Sequence, residues 1–249
     1  MRKSRLMKRM IVSAAVALLL VLAGAARADE PVDALKIILS MKDAYKKVDS
    51  YTAVMVKGEP ALTKELVPQK IRVKFQRPFK VYMKWVEEPY CGRELIYVEG
   101  ENDGNFIVKP DGIIGFVIRL LRLPSTFKSD ESRYTVRDFG VGNLIDGIVD
   151  ITMDAKRNDD LDLRCKGIVS RNGRDAYLIE RLLPKKSCYR NQRLVLYVDT
   201  QTLLPFEVYA YGPDGKLSEF CIYQGFELNP QLTAEDFSTD NREYGFRYF

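Results

Sequence analysis

Two periods of apolar spacing alternate along this chain. Between residues 32 and 48, Val32, Leu35, Ile38, Leu39, Met41, Tyr45 and Val48 recur at three- and four-residue steps, with Lys36, Lys42, Asp43, Lys46 and Lys47 between them. That spacing predicts an amphipathic helix. Further on the period falls to two: Ile71, Val73 and Phe75 alternate with Lys70, Arg72, Lys74 and Gln76, and beyond Pro78 the residues Val81, Met83 and Trp85 alternate with Lys80, Tyr82 and Lys84. These segments predict strands with one apolar face. Leu95–Val98 and Phe106–Val108 continue the pattern around a turn at Gly100–Gly104.

The apolar run Ile113–Leu123 fits a strand or a short helix, with the polar stretch Ser125–Arg133 as a loop over it. Helical spacing returns at Val141, Leu144, Ile145, Ile148, Val149 and Thr152, for which Asp138 is the candidate N-cap. The last third predicts an antiparallel meander. Asn172-Gly173 is suited to a type I′ turn between Cys165–Ser170 and Ala176–Leu183, and Leu194–Asp199, Phe206–Tyr211 and Ser218–Phe226 follow.

The expected class is mainly β (α+β). Two amphipathic helices cannot cover both faces of so many strands, and strands such as Leu194–Val198 are apolar on both sides. The expectation is therefore a strongly curved antiparallel sheet, a half-barrel of about nine to eleven strands packed around two or three helices. Its interior is a filled core or an apolar cavity, and composition alone favours the filled core. No repeat or linker divides residues 29–249, so one domain is expected there.

Charge changes meaning once the N-terminus is read. Arg2, Lys3, Arg5, Lys8 and Arg9 precede the apolar run Met10–Leu22, and Ala26-Arg27-Ala28 supplies the small residues of a cleavage site. This predicts a signal peptide removed after Ala28, hence a periplasmic protein with no stable membrane insertion. Without it, 33 Lys and Arg face 34 acids, and the formal charge of +5 becomes −1. A nucleic-acid partner is not expected. Cys91, Cys165, Cys188 and Cys221 all lie beyond the cut, and an even count in an oxidising compartment suggests disulfides, with Cys165–Cys188 the first choice of three pairings. Their spacing matches no zinc site.

The chain contains no histidine. Ser-His-Asp and Cys-His catalysis, His-Glu-x-x-His hydrolysis and haem held by a proximal His are thereby excluded. Asp159, Asp160 and Asp162 lack the glycine and closing Glu of a calcium loop and read as a solvated turn. Glu87 and Glu88 beside Glu94, with Glu99 and Glu101, could supply the two carboxylates of a glycosidase, but nothing in the sequence sets their separation, and acids at strand ends are normally just solvated. Neither metal nor cofactor is expected.

Arg77-Pro78-Phe79-Lys80-Val81-Tyr82-Met83-Lys84-Trp85, followed by Pro89 and a strand leading to Gly100, resembles the periplasmic lipoprotein carrier LolA and its relatives LolB, LppX and RseB. A closer likeness is to a secreted bacterial family of unknown function in the same superfamily. It rests on Val81–Trp85, on Gly92–Gly100 with Asn102-Asp103-Gly104, and on the ending Asn229, Asp236-Phe237, Asn241, Tyr244 and Phe246. The resemblance implies a half-barrel holding acyl chains, lined here by Val73, Phe75, Val81, Met83 and Trp85. It also puts Arg77 where such carriers have an arginine bonded to a helical lid; a surface arginine at a strand end is the other reading. Three functions follow: a carrier of lipid or lipoprotein, a periplasmic sensor or adaptor binding a protein partner as RseB-like proteins do, and a carboxylate-based envelope hydrolase. A non-enzymatic carrier is the expected one.

Overall fold

The computed structural model describes residues 32–60, 66–112, 120–130 and 132–246. The signal peptide with its cleavage after Ala28 lies outside them, as do residues 113–119 of the ambiguous apolar run. The described end of that run, Leu121–Pro124, is a strand.

Helix α1 (Ala34–Tyr45) starts where Asp33 accepts the amides of Leu35 and Lys36 at 2.9 and 3.2 Å. Its buried stripe is Ala34, Ile37, Ile38 and Met41. Helix α2 (Val141–Arg157) buries Val141, Ile145, Ile148, Val149, Thr152 and Ala155. Its N-cap is Gly140, with φ +112°, and not Asp138. The Asp138 carboxylate turns back to accept the Thr135 amide at 2.8 Å, closing the short 3₁₀ turn Val136–Asp138, so the helix begins past it.

Among the described residues, eleven strands form one antiparallel sheet. They are β1 (Ser50–Gly58), β2 (Gln69–Gln76), β3 (Lys80–Trp85), β4 (Glu94–Val98), β5 (Asn105–Lys109), β6 (Leu121–Pro124), β7 (Asp162–Arg171), β8 (Arg174–Leu182), β9 (Arg193–Asp199), β10 (Pro205–Tyr211) and β11 (Leu217–Leu228). The order is β6-β5-β4-β3-β2-β1-β11-β10-β9-β8-β7. Two meanders are thus joined where the first strand pairs with the last, with Met55 opposite Tyr223. The Asn172-Gly173 turn has φ of 52° and 76°, as a type I′ hairpin requires.

The strand and helix numbers agree with expectation, but the half-barrel does not. The sheet is open, with β6 and β7 as its two edges, and it is not strongly curled. Extra layers take over the covering that curvature was expected to supply. One face packs on α1 and α2 in a large core that includes Ile38, Met41, Tyr51, Ile71, Ile145 and Leu196. On the opposite face of β3–β5, Tyr82, Ile96, Val98 and Ile107 are covered by Phe237, Tyr244 and Phe246 from the C-terminal segment. Strands β3–β5, apolar on both sides, therefore need no closure, because each of their sides has its own cover.

Candidate functional site

The helices cross where Gly142 of α2 meets Tyr45 of α1. A Cβ at residue 142 would stand 2.4 Å from the Tyr45 ring, so only glycine allows this approach. Beside the crossing opens a cleft of about 350 Å³, between the C-terminal end of α1, the start of α2 and the β2–β3 turn. Tyr45, Phe75, Phe79, Phe139 and Ile145 give it an apolar floor, and Lys42, Lys46, Arg77 and Asp146 line it as well. Lys42 Nζ ties the helices together at 2.9 Å from Asp146 and 3.3 Å from Asp150. The three side chains are solvated, so the tie holds weakly. The bond to Asp146 raises the Lys42 pKa.

Arg77 donates from Nε to the Val48 carbonyl at 2.8 Å and from Nη2 to the Tyr45 carbonyl at 2.9 Å. Its guanidinium lies 4.7 Å from the centre of the Tyr45 ring. A cation thus sits on the carbonyl end of α1, where the helix dipole favours it. The residue itself is exposed.

The five residues expected to line a cavity are brought together on one sheet face: Val73, Phe75, Val81, Met83 and Trp85 are all buried in the core beneath the helices. Of these, Phe75 alone also lines the cleft. Trp85 Nε1 donates to Gln69 Oε1 at 2.9 Å, which satisfies its polar edge inside the core.

The expected disulfides are absent, and all four cysteines are free thiols. Cys165 lies on edge strand β7 and Cys221 on β11, with β8, β9 and β10 between them. Adjacent strands are about 4.8 Å apart, which puts that pair out of bonding range. Cys91 and Cys188 are exposed on the β3–β4 and β8–β9 connections. Burial pushes the Cys221 thiol up to about 11.

Two buried charges carry no pattern in the sequence. Glu94, 2 % exposed, accepts the Tyr82 hydroxyl at 2.9 Å and the Gly245 amide at 3.1 Å, which fixes it as an anchor for the C-terminal segment. Arg181, 3 % exposed, donates from Nη1 to the Ile148 carbonyl at 3.1 Å and to Thr152 Oγ1 at 2.9 Å. Its Nε is buried with no partner. In the sequence Arg181 follows Glu180 near the end of β8 at a position whose alternate neighbour is the buried Ile179, and that pattern does not distinguish a buried arginine from a snorkelling one. Among the described residues, no group of three His, Cys, Asp or Glu is placed to hold a metal, and no helix is long and apolar enough to cross a membrane.

The family model described as "Protein of unknown function (DUF1571)" matches residues 48–246, from the end of α1 to the aromatic C-terminal segment. The chain belongs to this family. The likeness to a family of unknown function drawn from the Val81–Trp85, Gly92–Gly100 and Asp236–Phe246 motifs is met in DUF1571. No curated protein matches the chain. Among solved structures, the chain is similar to the Mycobacterium tuberculosis lipoprotein LppX, at 14% identity over 80% of this chain and 96% of that one, with a TM-score of 0.48. It is similar to the Pseudomonas aeruginosa MucA/MucB complex at 16% identity over 83% and 61%, TM-score 0.47. It is also similar to a LolA superfamily protein from Nitrosomonas europaea at 13% identity over 84% and 99%, TM-score 0.39.

Proposed function

We propose that this DUF1571 protein is a periplasmic binding protein for an acyl-bearing ligand, a lipid or a lipidated protein, and acts as a carrier and not as an enzyme. The observation that supports it best is the cleft at the helix crossing. Its floor is aromatic, its rim carries Arg77, Lys42 and Lys46, and its volume of about 350 Å³ is at the lower end of ligand pockets. The helices above it are tied to each other by solvated ion pairs, and the end of α1 is tied to the β2–β3 turn by the two Arg77 bonds to backbone carbonyls. An acyl chain extends this cleft by lifting the helix pair from the sheet, with Arg77 as the tether that yields. The carboxylate hydrolase loses its central acid, since Glu94 is buried and engaged by the C-terminal segment.

An adaptor role has one feature in its favour. Edge strand β7 presents unpaired backbone beside Ile168, which is 58 % exposed, and such an edge accepts an added strand from a partner.

Native mass spectrometry of protein prepared from periplasm decides between them. A carrier retains acyl mass and takes up a pyrene-labelled fatty acid. Protein free of acyl ligand that takes up none is an adaptor, and the carrier reading is then wrong.

A further inference from the structure

The cleft accounts for the tail of an amphipathic ligand and leaves its polar end unassigned. Arg181 stands on the helix-facing side of β8, under α2, where it bonds the Ile148 carbonyl and the Thr152 hydroxyl and has the Tyr189 phenol as a further polar neighbour. Among the described residues no carboxylate pairs with it, and its Nε–H points to no acceptor. Burial lowers its pKa to about 10, which leaves it charged at neutral pH. A buried cation without a counter-charge destabilises a folded chain, and two neutral acceptors compensate only in part.

Arg181 lines neither of the two clefts beside the helices, but it has a neighbour in each. Ile145, one turn before Ile148 on α2, lines the cleft at the helix crossing. Leu163, the direct strand partner of Arg181, lines a second cleft of about 380 Å³ at the other end of the helix pair, where Lys156 adds a cation and Asp33 and Asp159 stand at the rim. Asp33 is already engaged as the cap of α1.

We propose that Arg181 receives the anionic head of the acyl ligand, a carboxylate or phosphate, and that this anion replaces the bonds from Arg181 to α2. The assignment rests on the carrier reading and adds the polar end of the ligand. A guanidinium bonds an ionised oxygen more strongly than a carbonyl, so binding frees α2 as it fills the site. The tail then lies under α2 toward Ile145 and the aromatic floor.

A pyrene-labelled fatty acid and its methyl ester, which differ only in charge, test this on the full mature chain. The acid binds about tenfold more tightly than the ester to the native protein, and equally to Arg181→Met. Because Met removes an uncompensated charge at similar length, the ligand-free variant keeps or raises its Tm. Arg181→Lys retains part of the preference for acid and gives the same reading should Arg181→Met not fold. A lowered Tm with an unchanged acid-to-ester ratio makes Arg181 a structural clamp and overturns the proposal. Equal binding of acid and ester by the native protein overturns it too, while the carrier reading stands; binding of neither removes the carrier reading itself. Inorganic phosphate at millimolar concentration displaces nothing, and displacement by it would overturn the assignment to an amphiphile.

Discussion

The two faces of strands β3–β5 are covered in different ways. On the inner face, α1 and α2 meet the sheet through apolar side chains, and the polar contacts that hold them are few and join neutral partners: Arg77 to the Tyr45 and Val48 carbonyls, Arg181 to the Ile148 carbonyl and the Thr152 hydroxyl, and the Val141 amide to the Tyr51 hydroxyl. On the outer face, the C-terminal segment is pinned by specific polar groups as well as by packing. Tyr244 stacks on Tyr82 with ring centres 3.8 Å apart, its hydroxyl donates to the Asp236 carbonyl at 3.0 Å, and Glu94 accepts the Gly245 amide. Lys74 Nζ sits 2.7 Å from Asp236, and a Cβ at Gly245 would come within 2.8 Å of Glu94 Oε1. Apolar contact is tolerant of sliding, whereas a buried carboxylate holding an amide is not. The outer cover is therefore the more firmly fixed of the two, and the proposed carrier role puts ligand entry on the inner side.

The largest effect is expected at Glu94. Its replacement by Ala leaves the Tyr82 hydroxyl and the Gly245 amide buried without acceptors and should cost about 4 kcal/mol. Denaturant unfolding measures the loss, and a change below about 1 kcal/mol would show that the outer cover is held by packing alone. Arg77→Leu should cost only about 1 kcal/mol, because the residue is exposed and its acceptors are neutral. Amide exchange should quicken in α1 and stay unchanged in residues 234–246, together with faster release of bound fatty acid. Equal exchange in both regions contradicts the difference between the covers.

Mild acid is the gentlest probe. Burial would raise the Asp236 carboxyl, but the Lys74 ammonium and the Thr233 amide outweigh it and hold the pKa low. A carboxyl with a lower pKa in the folded state stabilises above its unfolded value of about 4 and loses that contribution as pH falls through the folded value. Protection factors in residues 234–246, taken against the intrinsic exchange rate at each pH, should therefore fall below about pH 4, and Asp236→Asn should abolish that fall. A pH-independent segment would mean that the Lys74–Asp236 pair adds nothing to the outer cover.

Much of the fold was legible locally. The apolar steps of residues 34–45 and 141–157, the alternation in 69–85 and the Asn172-Gly173 turn each report a residue's own backbone geometry and solvent-facing side. The juxtaposition of Arg77 with the end of α1 came from a resemblance and not from a pattern. Curvature was inferred from strands apolar on both sides, and that inference failed because the same pattern serves any second cover. The Tyr244–Phe246 segment provides one here. The cysteine pairing failed for a related reason: compartment argues for bonds, but distance decides them, and the thiols lie on separated elements.

By itself, the sequence determined which segments are strand and helix, which side of each is apolar, and that no histidine chemistry is present. Only the tertiary structure decided what covers each apolar side: β1 against β11, the C-terminal segment over β3–β5, and α2 over the buried Arg181 on β8. Periodicity is a property of neighbours along the chain, so it records that a face is buried. The identity of the covering group is a long-range choice, set by packing and by which buried polar groups find partners. Arg181 and Glu94 look alike in the sequence, each a charge within an apolar strand, yet Glu94 meets an amide and a hydroxyl while Arg181 is left without a counter-charge.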